Sequence, residues 1–317
     1  MTKPIDESVL EAWLSFRRRG ERAALVTLVN IDGSAPRPVG SQIAVSESGE
    51  AFGYITGGCA EAALAAEAVD AIKSGENRLR RYGRGSPFLD VRLPCGSGID
   101  VHFATDLPQG AVAGLVTSLA ERRRCHLDIA FDEAMIAQHE NAPYKPAAKF
   151  FRRPYEPATR VEIIGKGPVV LSLARSAKAA GMQVLVASPE SETLEGVKDC
   201  SDETTTLAGP GRYRADNVDE WTAAAVLFHE HDWEPPILKT LIASRCFYLG
   251  ALGSRKTHVE RLNALRRDGV DEADLGAING PIGIDIHAKS PEEIAISVLA
   301  EIIAARRCGG TGARWRR

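Results

Sequence analysis

Thr56-Gly57-Gly58-Cys59-Ala60-Glu61 is a strand-to-helix turn that carries a thiol. Adjacent glycines permit backbone angles that other residues avoid, or a close approach by a ligand. A cysteine at a helix start has a lowered pKa and more thiolate. Thiolates bind soft metals and attack electrophilic sulfur. A buried small residue at a tight turn fits the same pattern. Cys95, in Pro94-Cys95-Gly96-Ser97-Gly98, is a second thiol in a glycine-rich turn. Gly33-Ser34-Ala35-Pro36-Arg37 holds a hydroxyl and a guanidinium between rigid neighbours. The arginine fork suits a phosphate or carboxylate; a surface turn with a salt bridge is the plainer reading.

A second set lies farther along. Val161 to Ile164 is a short apolar strand that runs into Gly165-Lys166-Gly167-Pro168 and then a helix. Gly165 and Gly167 would let the backbone approach a pyrophosphate at a helix N-terminus. The third fingerprint position is Val170 rather than Gly or Ala. Ser188 stands where an aspartate would hold a ribose, with Glu190 as the carboxylate nearby. A nucleotide-binding fold with no dinucleotide and one that binds NAD(P) both fit. Gly253-Ser254-Arg255 follows a strand and opens a helix, which is a second anion-binding arrangement. His229-Glu230-His231-Asp232 ends another strand. A metal could use the histidines, but no further ligands have matching spacing. Asp285, in Gly280-Pro281-Ile282-Gly283-Ile284-Asp285, puts one carboxylate in a rigid loop that serves equally well as a crossover.

The elements around these residues define the fold class: α/β, an N-terminal α+β domain followed by a Rossmann-like parallel-sheet domain. Residues 6–20 predict a helix with Val9, Leu10, Trp13, Leu14 and Phe16 on its apolar face. Ala23 to Ile31 predicts a buried strand, and Gln42 to Ser46 with Phe52 to Thr56 a hairpin. Cys59 to Ser74 predicts a helix stopped by Gly75. Asp90 to Leu93 and Ile99 to Ala104 predict strands, and Val112 to Arg123 a helix. From residue 161 the pattern alternates: strands at 161–164, 183–187, 224–228 and 246–249, helices at 168–180, 235–243 and 257–267. Ser290-Pro291-Glu292-Glu293 predicts a capped final helix. The expected division is 1–137, a proline-rich linker over 138–158, and 159–317.

The 317 residues carry a net charge of −3, with 44% hydrophobic and 26% charged side chains. That composition is globular and gives no basic field for nucleic acid. The six cysteines form no C-x-x-C pair, which argues against structural zinc. No run approaches the ~20 apolar residues of a membrane helix, and MTKPIDESVL lacks a signal pattern. A cytoplasmic setting with free thiols is expected.

Taken in order, the motifs resemble the XdhC/CoxI family of xanthine dehydrogenase accessory proteins. The N-terminal half carries the resemblance through GSAPRPVGSQIAV (33–45), GYITGGCAEAAL (53–64) and PCGSG (94–98). The C-terminal half carries it through IIGKGP (163–168), HEHD (229–232), YLGALGSRKTH (248–258) and GPIGIDIHAKSPEEIAISVLAEI (280–302). Val170, Ser188 and Ser97 depart from the usual pattern. The resemblance implies a chaperone more than a catalyst. Such a protein binds molybdenum cofactor, protects it, helps its sulfuration by a cysteine desulfurase, and inserts it into an apo molybdenum hydroxylase. For such a ligand, the chemistry of the motifs makes Ser34, Arg37, Gly57, Gly58, Cys59, Glu61 and Cys95 the expected cofactor contacts. Gly165, Gly167, His229, Gly253, Ser254, Arg255 and Asp285 complete the set. No resident metal is expected, and a homodimer is. The alternatives are an NAD(P)-dependent oxidoreductase with a degenerate glycine fingerprint, and a metal or thiol redox protein.

Overall fold

A computed structural model describes residues 5–58, 60–84, 86, 96–130, 151–228 and 232–308, and the backbone at 134–135 and 150. Cys59, Cys95, His229, His231 and the expected strand 90–93 lie outside the described residues. The chain divides into two compact units, Lys3–Pro157 and Ala158–Arg317.

The first unit opens with α1 (Ile5–Arg18), β1 (Ala23–Asp32), β2 (Gln42–Ser46), β3 (Ala51–Gly53) and α2 (Glu61–Ser74). It continues with β4 (Arg78–Gly83), β5 (Gly98–Ala104), α3 (Gln109–Ala120), β6 (Cys125–Ala130), β7 (Ala134–Met135) and β8 (Phe150–Tyr155). The sheet order is β3-β2-β1-β5-β4, antiparallel throughout, with a second sheet β7-β6-β8. Both faces of β1 are covered, so its sequence reads as a continuous apolar run rather than an alternation. Ala23 and Leu25 pack with Trp13 of α1 and Leu115 of α3. Ala24, Val26 and Leu28 pack with Leu64 and Ala68 of α2. Trp13 is 1% exposed and donates its indole N–H to the Ala23 carbonyl at 3.3 Å. Gly75 ends α2 in the left-handed conformation, as expected.

The second unit comprises β9 (Arg160–Gly165), α4 (Pro168–Ala179), β10 (Gln183–Ser188), α5 (Ser191–Gly196) and β11 (Glu203–Thr206). A short 3-10 turn, Pro210–Arg212, precedes β12 (Thr222–Leu227). Then come α6 (Glu234–Ile242), β13 (Tyr248–Ala251), α7 (Arg255–Arg267), α8 (Glu272–Gly276), β14 (Ile278–Asn279) and α9 (Pro291–Arg307). The strands form one parallel sheet in the order β11-β10-β9-β12-β13-β14. This is the doubly wound arrangement, with its switch point between β9 and β12. α4 and α9 cover the face of Val161, Ile163 and Val184; α6 and α7 cover the face of Ile164, Ala224 and Val226. The capping box of Ser290 and Glu293 is present on α9.

The structure moves several expected elements. The helix expected from Cys59 begins at Glu61. The strand expected at 246–249 is Tyr248–Ala251. Residues Phe150–Tyr155, inside the expected linker, pair with β6 and close the smaller sheet. β4, whose six residues are RLRRYG, was not expected as a strand. Its arginines are held by carboxylates from elsewhere: Arg78 and Arg80 by Glu67, Arg81 by Asp100.

Candidate functional site

In the first unit the site grows from one carboxylate. The Glu61 side chain accepts hydrogen bonds from the backbone amides of Ile55, Thr56, Gly57, Gly58 and Ala60, at 2.7–3.2 Å. It also accepts the Thr56 hydroxyl at 2.7 Å, and that hydroxyl accepts the Ala60 amide at 2.9 Å. Gly57 and Gly58 have φ of 76° and 115°, which lets the chain curl around the carboxylate. Partial burial opposes ionisation of Glu61. The bonds from Thr56 and the other loop amides outweigh it and bring the pKa down to about 2. Both carboxylate oxygens are therefore committed to the loop, and Glu61 acts as a positioning group. Cys59 stands in sequence between Gly58 and Ala60, two of the residues whose amides Glu61 holds.

Two neighbouring loops adjoin this turn. A β-carbon built on Gly57 would lie 3.8 Å from Pro36, and one on Gly33 3.2 Å from the Ser97 side chain. The segments around Arg37, Gly57 and Ser97 thus meet at one end of the sheet. Arg37 is half-buried, and its Nε is buried with no hydrogen-bond partner among the described residues. Ser34 is exposed on the same loop. Arg81 braces the base of the cluster by bridging Asp32 at 2.9 Å and Asp100 at 3.1 Å.

In the second unit the expected residues line the carboxyl end of the parallel sheet. Gly165 is there for packing: a β-carbon would lie 2.3 Å from the Leu227 carbonyl oxygen of β12. Gly167 has φ of 85°, and its amide donates to the Thr193 hydroxyl at 3.0 Å. Thr193 in turn donates to Glu190. The carboxylate that the sequence offered for a ribose hydroxyl is thus tied to α5. Pro168, the first residue of α4, has no N–H. The α4 turn therefore presents fewer free amides than a pyrophosphate cradle uses.

The β13–α7 turn is more open. Gly253 has φ of 140°, and a β-carbon would lie 2.8 Å from Thr257. The Ser254 hydroxyl caps α7 by accepting the Thr257 amide at 3.1 Å. Arg255 is exposed and lies 3.4 Å from Asp285. Behind this turn is a pair the sequence gave no sign of. Arg261 grips Glu234 bidentately at 2.8 and 2.9 Å, with side chains 1% and 3% exposed. Arg261 also donates to the Leu252 carbonyl, fixing the strand end to α6. Charged residues 27 apart carry no local signature of such a contact.

The structure brings Ser34, Arg37, Gly57, Gly58 and Glu61 together in the first unit. It sets Gly165, Gly167, Gly253, Ser254, Arg255 and Asp285 along one sheet edge in the second. No metal-binding cluster occurs among the described residues. No helix among them is long and apolar enough to cross a membrane. Cys125 is buried, which pushes its thiol up to about 11; burial also raises Cys200 and Cys246. These thiols are poor nucleophiles.

Comparison with known proteins follows the same division. A family model described as the XdhC Rossmann domain matches residues 161–302, and one described as the XdhC and CoxI family matches 16–83. Over 292 residues the chain is 31% identical to the molybdenum cofactor insertion chaperone PaoD of Escherichia coli K12, covering 90% of this chain and 84% of that protein. It is 24% identical to a probable xanthine dehydrogenase subunit of Bacillus subtilis strain 168, covering 90% and 94%. The fold is similar to the crystal structure of a xanthine dehydrogenase from Bacillus halodurans, with TM-score 0.77 and 21% identity, over 94% of this chain and 96% of that one.

Proposed function

The chain belongs to the XdhC and CoxI family, and on that premise we propose that it is a molybdenum cofactor chaperone. In this reading it holds the cofactor as cargo, protects it, supports exchange of an oxo ligand for sulfur from a cysteine desulfurase, and inserts it into an apo molybdenum hydroxylase. The observation that carries the reading is the Glu61-centred loop. A turn containing a cysteine is held by bonds to its own backbone, beside the half-buried Arg37. A rigid loop offers a thiol to a metal or to sulfur at little ordering cost. The Arg37 fork suits the cofactor phosphate, and Cys95 adds a second thiol one residue before Gly96. Within the second unit, Gly253, Ser254, Arg255 and Asp285 form a polar turn of their own.

The NAD(P) alternative draws on the sheet order and the glycine turn. The Gly167–Thr193 bond, the missing amide at Pro168 and the engaged Glu190 count against it. The working state is a homodimer in the cytoplasm. The test is retention: purified protein mixed with molybdenum cofactor carries it through gel filtration and then activates an apo-hydroxylase. Cys59→Ala and Cys95→Ala reduce transfer while leaving the fold intact. Transfer at the wild-type level by both variants refutes the thiol roles.

A further inference from the structure

A cavity of about 270 Å³ opens on the flank of the parallel sheet, on the face turned away from α4. It exists because the segment between β11 and β12 crosses this flank with only the 3-10 turn Pro210–Arg212. A full helix there would fill the space beside β10 and β11. Leu185, Ala187 and Leu207 give the cavity apolar walls.

Glu162 lines the cavity from β9, in register with Leu185 of β10 and Ala224 of β12. It is 7% exposed. The Tyr213 hydroxyl donates to its Oε1 at 3.3 Å, while its Oε2 is buried with no hydrogen-bond partner among the described residues. Such an orphaned acceptor is a standing cost that a ligand N–H removes. The terminal torsion of glutamate is soft, so Oε2 turns toward the cavity easily. Burial pushes the Glu162 pKa up to about 7, which reflects the same lack of donors. Arg212 lines the same cavity from the 3-10 turn and has no ion-pair partner among the described residues. A buried acceptor and a free cation on separate elements call for a ligand with a donor at one end and an anion at the other. Glu203 and Asp216 also line the cavity, which disfavours a polyphosphate. The volume falls below the ~300–1,000 Å³ of drug-sized sites, which fits one ring system and not a dinucleotide.

We propose that this cavity binds an amino-substituted nitrogen heterocycle carrying a single phosphate, with the amino group on Glu162 and the phosphate on Arg212. The site belongs to the second unit alone and is assayed without molybdenum cofactor, so it stands or falls apart from the cargo reading. The test is calorimetric titration of the full-length protein with CMP, GMP, neopterin monophosphate, UMP and ribose 5-phosphate. At least one of the first three binds, and which one identifies the ring. UMP and ribose 5-phosphate, which lack a ring amino group, bind at least ~10-fold more weakly. Glu162→Gln and Arg212→Ala each weaken the binding ligand ~10-fold or more. Arg212 is exposed, so its variant keeps the test valid if the Glu162 variant misfolds. Absence of binding by all three amino compounds overturns the proposal. So does equal binding of UMP or ribose 5-phosphate, or an unchanged affinity in the Arg212 variant.

Discussion

Glu61 accepts both the backbone N–H and the hydroxyl of Thr56, each at 2.7 Å. One carboxylate therefore closes the turn at its first residue and, through Gly58 and Ala60, at its last. Hydrogen bonds to a charged group are worth about 1.5–3 kcal/mol each in favourable cases. Glu61→Gln replaces one acceptor oxygen with an NH₂ group that faces the loop amides. The expected result is a loss of about 1–3 kcal/mol of stability. Amide exchange at Ile55–Gly58 accelerates, and cofactor retention falls. Thermal melting and hydrogen exchange measure the first two effects, and gel filtration of loaded protein measures the third. Unchanged exchange at these amides would contradict the positioning role.

Gly167 donates to Thr193, and Pro168 has no N–H to donate. Titration with NADH or NADPH should therefore give no saturable fluorescence change. A clear change with either would restore the oxidoreductase reading and place the dinucleotide at the β9–α4 turn.

The two units should respond to pH in opposite senses. Glu61 has a folded pKa of about 2, below its ordinary 4.5. Its contribution is present above pH 4.5 and is lost as the pH falls from there toward 2. Burial raises the folded pKa of Glu162 to about 7, above 4.5, and outweighs the lowering by the Tyr213 hydroxyl and Arg160. Between pH 4.5 and 7 the folded second unit binds a proton that the unfolded chain does not. Its stability therefore declines as the pH rises through that window. Hydrogen exchange resolved by unit checks both slopes. Glu162→Gln should flatten the second and leave the first intact.

Arg261 and Glu234 form an ion pair cut off from water. Arg261→Met leaves a buried carboxylate without its partner and should cost roughly 3–5 kcal/mol. Arg261→Met combined with Glu234→Leu should recover most of that loss. Melting temperatures of the single and double variants decide the matter. A single variant that melts like the wild type would show that water reaches Glu234.

Much of the architecture was legible because local pattern and tertiary demand agree. The apolar face of α1 is the set Val9, Leu10, Trp13, Leu14 and Phe16, all buried. The capping box of α9 was readable from Ser290 and Glu293. β4 was not readable, because Arg78, Arg80 and Arg81 find their carboxylates on α2 and β5. β8 was hidden for a related reason: its partner β6 is distant in sequence, and the proline-rich composition between them suggested a connection. At the site, the glycines and Arg37 were visible as residue types. The capture of the loop amides by Glu61 was not, since a carboxylate at a helix start ordinarily suggests an interaction with the helix dipole. Glu162 was hidden in an apolar strand, where its acidity gave no sign of the cavity beside it.

The central claim is that the turn centred on Glu61 holds molybdenum cofactor for delivery. Its most direct test is transfer from loaded protein to an apo-hydroxylase, comparing wild type with Cys59→Ala and Glu61→Gln at equal protein concentration. The account predicts that wild type retains the cofactor through gel filtration and restores hydroxylase activity, with both variants at least ~10-fold less effective. Retention no better than that of an unrelated protein, or full activation by both variants, would contradict it.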